Sequence, residues 1–111
     1  MTVAEEFLLA MSDGDGDAVE RLVAPDVVLV LGPHEVEGAA ELRRMAEEIA
    51  PLELRIEPEA VEESAGAAVV RGRRVQRWRE TGEIANQDEV DVTCTYGEDG
   101  RIVRVELRAG A

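Results

Sequence analysis

Residues 84–109 read IANQDEVDVTCTYGEDGRIVRVELRA, and the alternation inside them decides the fold. The even positions Ile84, Val90, Val92, Cys94 and Tyr96 are apolar, whereas the odd positions Gln87, Glu89, Asp91, Thr93 and Thr95 are polar. A period of two is the mark of a strand with one buried face, so the even side is the core side. Glu98-Asp99-Gly100 supplies a hairpin turn, and Ile102 to Ala109 returns as the last strand. Upstream, Ala67 to Arg79 forms another strand, joined through the Thr81-Gly82 turn. Its odd set holds Arg71, Arg73, Arg77 and Arg79; its even set holds Val70, Gly72, Arg74, Gln76 and Trp78. The more charged odd set is expected to face outward, beside Glu89 and Asp91, where unlike charges pair across strands. Leu52, Leu54 and Ile56 alternate with Glu53, Arg55 and Glu57 in one more strand, which continues to about Glu63 before the Ser64-Ala65-Gly66 turn.

Toward the N-terminus the period becomes helical. Thr2 and Glu5 have capping-box spacing, and Val3, Phe7, Leu8 and Met11 recur on one helical face that ends near Ser12. Asp17 and Glu20 repeat the pattern for a short helix with Val19, Leu22 and Val23 inward, stopped by Pro25. Val27 to Leu31 is a strand; Gly32-Pro33 turns the chain, and His34 to Glu37 makes a short return strand. Gly38 opens a longer helix whose stripe is Leu42, Met45, Ala46 and Ile49, ended before Pro51. The predicted class is α+β: one curved, mostly antiparallel sheet with three helices from the N-terminal half packed on one face.

The chain has 111 residues, enough for one domain spanning 1–111; 45% are hydrophobic and 33% charged, an ordinary globular composition. Its 12 basic residues are all Arg, against 25 acidic ones, for a net charge of −13. Without Lys there is no Schiff-base nucleophile and no P-loop lysine. One His (His34), one Cys (Cys94) and two Ser (Ser12, Ser64) leave too few ligands for a Cys/His zinc site. Asp13, Asp15 and Asp17 imitate the start of a calcium loop. However, Ala18 stands where that loop needs Gly and Ala24 where it needs a bidentate Glu, so the reading is a capped turn. No metal or cofactor is implied. The negative charge argues against nucleic acid, and no apolar run reaches membrane-span length. The acidic start, the short apolar run after it and the single Cys point to the cytoplasm.

The stretch SDGDGDAVERLVAPDVVLVLG (12–32), followed by a Gly before the third helix and by YGEDGRIVRVEL (96–107), resembles the nuclear transport factor 2-like superfamily, in its SnoaL-like and ketosteroid-isomerase-like branch. The resemblance covers nearly the whole chain. It implies a cone in which the sheet wraps around a long helix and leaves a ligand pocket at the open end, and a homodimer through the outer sheet face. It also implies chemistry of the isomerase, cyclase, dehydratase or epoxide hydrolase type, or binding alone. The ketosteroid isomerase machinery of an Asp base with a Tyr and a protonated Asp does not carry over: Leu31, Phe7 and Val92 stand at those positions. The Arg-x-Asp of the epoxide hydrolase branch is missing from RGRRVQRW (71–78).

Strand parity nominates a different site. Arg74, Gln76, Trp78, Asn86 and Asp88 share the inner face toward a strand end. Asp88 beside an indole is the candidate general acid or base, and Arg74 is either its partner or the stabiliser of an oxyanion. Gln76 and Asn86 would orient a carbonyl or hydroxyl. Trp78, Phe7, Leu31, Met45, Val90, Val92 and Val105 would form an apolar wall, with Tyr96 packing or donating its hydroxyl. Two function classes stay open. One is an enzyme or binder of a small apolar oxygenated compound such as a polyketide, terpenoid or steroid-like ligand; the other is a non-catalytic dimeric module.

Overall fold

The computed structural model describes residues 1–109. Elements follow in the order α1 (Val3–Asp13), α2 (Gly16–Leu22), β1 (Val23–Leu31), β2 (His34–Glu37), α3 (Ala39–Glu47), β3 (Leu52–Glu63), β4 (Ala67–Trp78), β5 (Ile84–Tyr96) and β6 (Ile102–Ala109). The strands form one curved, open sheet in the order β2-β1-β6-β5-β4-β3. Every neighbouring pair is antiparallel except β1 with β6, which is parallel. The α+β cone read from the sequence is the fold observed. No helix among the described residues is long and apolar enough to cross a membrane.

The helix starts follow from local chemistry. At α1 the Thr2 hydroxyl accepts from the Glu5 amide, while the Glu5 carboxylate accepts from the Thr2 amide at 3.0 Å, so two otherwise unpaired N–H groups are satisfied. Gly14 ends the helix in the left-handed region at φ 73°. The three aspartates of the turn then go separate ways. Asp15 caps α2 through the Ala18 amide, Asp13 pairs with Arg55 at 3.0 Å, and Asp17 pairs with Arg43 at 2.7 Å. Arg43 also reaches Glu20 and Glu47, tying α2 to α3.

Three elements depart from the sequence reading. Helix α2 starts at Gly16 under an Asp15 cap rather than at the Asp17–Glu20 pair, and Val23 leaves it for β1. Strand β1 begins four residues early, at Val23, and runs through Pro25. It can do so because its pairing with β6 shifts register between Val23 and Val28, and Pro is tolerated in a strand at such irregularities. Helix α3 stops at Glu47, so Ile49 does not join the apolar stripe and is 80% exposed. Residues ahead of a proline are pushed out of the helical region, and Ala50 precedes Pro51.

The core lies between the helices and the inner sheet face. Phe7 and Leu42 from the helices meet Val70, Val90, Val92, Cys94, Ile102 and Val105 from the strands, all buried. These strand residues come into line by register: Val70 opposes Val92, and Cys94 opposes Val105. Burial pushes the Cys94 thiol up to about 12, which makes it inert packing. Gly72 marks a close approach of β4 to β3, since a Cβ there would lie 2.8 Å from the Glu57 carbonyl oxygen. Backbone cannot yield as a side-chain end does. Gly72→Ala is therefore expected to lower unfolding free energy by about 1–3 kcal/mol, measured by urea denaturation; an unchanged midpoint would show that β3 moves aside freely.

Candidate functional site

The three helices do not cover the whole inner face of the sheet, and at the uncovered end lies a cavity of about 480 Å³. Leu8, Met11 and Ser12 close it from α1, Met45 and Ala46 from α3, and Leu29 and Leu31 from β1. Its floor is Val92, Val105 and Leu107, and its far wall is Leu52, Leu54 and Ile56 from β3. Register explains the wall: Leu52, Leu54 and Ile56 oppose Trp78, Gln76 and Arg74, so all six point to the same face. Volume and apolar lining match those of small-molecule sites. Charged groups also line the cavity: Asp13, Glu47, Glu48, Glu53 and Arg79.

Of the residues nominated from sequence, Leu31, Met45, Val92 and Val105 line this cavity. Phe7 and Val90 lie in the closed core and do not line it. Tyr96 sits at the hairpin end, where its hydroxyl donates to Glu63 at 3.2 Å; burial and the Glu63 carboxylate push its pKa up to about 12. Trp78 is 49% exposed and belongs to a shallower groove with Pro51, Arg79, Glu80, Thr81 and Glu83.

The polar set pairs as strand parity implies, with Arg74 opposite Asp88 and Gln76 opposite Asn86. Arg74 donates Nε to Asp88 Oδ1 at 2.8 Å and Nη2 to Oδ2, a two-pronged ion pair with side chains 26% and 33% exposed. The hydrogen bonds from Arg74 hold the Asp88 carboxyl below the ordinary carboxylate range, against the opposing effect of burial; Arg74 is raised in return. Asp88 is thus a fixed carboxylate rather than an acid with a raised pKa. Asn86 donates its side-chain amide to the Gln76 carbonyl oxygen at 3.3 Å. Neither pair lines the cavity, although Arg74 stands beside Ile56 of its wall.

The outer face behaves as the charge pattern implies. Arg71 lies opposite Asp91 and pairs with it at 3.2 Å, and Arg73 lies opposite Glu89. One odd residue breaks the rule: Val75 is buried, outside the helix-side core, with Arg55 and Gln87 as its cross-strand neighbours. Sequence reasoning also missed the β3 wall. The signal was present, because Leu52, Leu54 and Ile56 follow the same two-residue period that placed the β4 and β5 faces.

A family model described as SnoaL-like domain matches residues 4–105. Among solved structures, the chain is similar to a Sinorhizobium meliloti protein provisionally named a polyketide cyclase, with TM-score 0.77 and 23% identity over 96% of this chain and 93% of that one. It is also similar to an LEH-like epoxide hydrolase from Mycobacterium tuberculosis, with TM-score 0.79 and 17% identity over 97% and 80%. A third is a Mycobacterium tuberculosis protein in complex with estradiol-17β-hemisuccinate, with TM-score 0.78 and 13% identity over 97% and 91%. At such identities the likeness is one of fold. A search of curated proteins finds no significant sequence match.

Because Asp88 is stabilised as the anion, Asp88→Asn is expected to lower the melting temperature at pH 7. A folded-state pKa below the unfolded one gives stability that is present above the unfolded value and lost as pH falls through the folded value. The gap between wild type and variant should therefore close below about pH 4. A gap that persists undiminished at pH 2 would remove the ion pair as its cause.

Proposed function

This chain belongs to the SnoaL-like domain family, and we propose that it binds a small, apolar, oxygenated molecule in the cavity bounded by α1, α3, β1 and β3. The observation that carries the reading is the cavity itself: about 480 Å³, walled by Leu31, Met45, Leu54, Ile56, Val92 and Leu107, at the end of the sheet the helices leave open. Burying an apolar ligand there removes both its surface and the cavity lining from water. Ser12 and the carboxylates at the margin supply a few polar contacts, the usual division of labour in such sites. The polyketide, epoxide and steroid chemistry attached to the similar structures supports the same ligand class.

Binding is favoured over proton transfer by the state of Asp88. An isomerase, cyclase, dehydratase or epoxide hydrolase step using Asp88 and Arg74 requires the two to part first, since each satisfies the other. The reading needs no cofactor or metal, and the fully buried lone thiol of Cys94 suits the reducing cytoplasm. The reading also includes a homodimer through the outer sheet face. Support comes from Val69, exposed there among alternating charges such as Arg71 and Asp91, a surface that can meet its own copy with unlike charges.

Calorimetric titration with estradiol, an anthraquinone and a terpenoid epoxide tests the cavity. At least one compound should bind, and Leu31→Trp or Ala46→Phe, which fill the space, should weaken it at least about tenfold, or 1.4 kcal/mol. Affinity unchanged in both folded variants would end the cavity reading. For the dimer, sedimentation equilibrium should return a two-chain species that Val69→Asp converts to monomer; a wild-type monomer at high concentration contradicts it.

A further inference from the structure

The largest apolar side chains left in water are not scattered. Besides Met1 and Val69 they are Ile49, Leu54, Trp78 and Ile84. Of these four, the first three lie at the open end of the inner face. Ile84, which alternation placed on the core side, sits opposite Arg77 after a register shift and is 52% exposed. Ile49 and Leu54 already line the cavity. Trp78 lies across the chain from Leu52, in the groove with Pro51, Glu80 and Glu83. Cavity and groove share one wall, Arg79, whose Nε donates to the Ala50 carbonyl at 2.9 Å and whose amide donates to the Pro51 carbonyl at 2.8 Å. The groove is thus an annex of the cavity behind a fixed divider.

Its chemistry has a sign. A half-exposed indole shares the groove with two carboxylates, Glu80 and Glu83, and among the described residues neither forms an ion pair. The other acids near the cavity differ: Asp13, Glu47, Glu48 and Glu53 each lie within 4 Å of an Arg. The cation of the groove, Arg79, donates its Nε to the Ala50 carbonyl and has Glu53 as its carboxylate neighbour at 3.9 Å, so its charge is directed at Glu53 rather than at Glu80 or Glu83. An aromatic face beside unneutralised carboxylates attracts a cation, and attracts a poorly hydrated ammonium most. The geometry points to a two-part site: the ligand's apolar body fills the cavity, and a positively charged amine on it rests on Trp78 between Glu80 and Glu83. The inference rests on the cavity reading above and adds the charge of the ligand to it.

Three probes that differ only at one end decide the matter: 4-phenylbutyltrimethylammonium, its neutral tert-butyl isostere and 5-phenylpentanoate. Affinities are read by calorimetry, and contact with the groove by fluorescence of Trp78, the chain's one Trp. The ammonium probe should quench Trp78 and bind about tenfold tighter than the neutral isostere, with the carboxylate weakest. The Glu80→Gln/Glu83→Gln double variant and added salt should erase that preference and leave the neutral probe unaffected. Equal affinities, or a preference that survives the double variant, overturn the annex. If the neutral probe then still binds and Leu31→Trp weakens it, the cavity reading stands alone. Ammonium binding indifferent to Leu31→Trp, with no binding of the neutral probe, breaks the two-part site at its cavity half. Silence from all three probes rejects both.

Discussion

Strands β4 and β5, 12 and 13 residues long, each extend roughly 40 Å. The longest helix available to cover their inner face, α1, has 11 residues and reaches about 16 Å. Helices α2 and α3 are shorter still. One face of a sheet must be buried for the fold to exist, and these helices can bury only part of it. Where they lie, the inner face is Val70, Val92, Cys94 and Val105, packed against Phe7 and Leu42. Beyond them it must be curled over, filled with paired polar groups or left open, and this molecule does all three.

The inner face of β4 follows that gradient. Ala68, Val70 and Gly72 are buried, Arg74 and Gln76 are partly covered, and Trp78 is half in water. Polar residues enter where the cover thins, and each finds its partner on β5 at the opposing register position. Partly covered, Arg74 would lose hydration without a replacement if it stood alone, and the two-pronged bond to Asp88 supplies that replacement. The cavity forms at the same end, toward β1 and β3, where the ends of α1 and α3 leave a gap over the sheet. Pocket, ion pair and exposed indole are three consequences of one length mismatch.

Much of this was legible beforehand. Period two in residues 86–96 sets the face of each residue there, and the antiparallel register carries that assignment to β4 as far as Gln76 and to β3 between Leu52 and Pro58. Register shifts beyond those points put Ile84 opposite Arg77 and Val61 opposite Val70, against the alternation. The Arg74–Asp88 and Gln76–Asn86 pairings follow from nothing more. Parity, however, says which face a residue takes and not what stands over it. Trp78 and Val92 are both inner-face residues, yet one is in water and the other fully buried, because coverage depends on where the helices end. Ile49 shows the same limit along a helix: its spacing fits the α3 stripe, but the approach of Pro51 ends the helix first. Val75 is buried on the face that alternation assigns to water, beside Arg55 and between Arg73 and Arg77, whose long stems can shelter a small apolar group.

The sequence by itself determined the element order, the α+β class, the family, and the inner and outer faces of the long strands between their register shifts. These depend on local signals: capping pairs, turn residues and the periods 2 and 3.6, each contained within a few residues. It also determined which mechanisms are unavailable, since a chain without Lys and with one His cannot supply them. Only the tertiary structure decided which inner-face residues see a cavity, that Asp88 is a satisfied anion, and that Trp78 faces a groove rather than the pocket. Those outcomes depend on the relative reach of elements far apart in the chain, and on distances of 3–4 Å between side chains that no local pattern encodes.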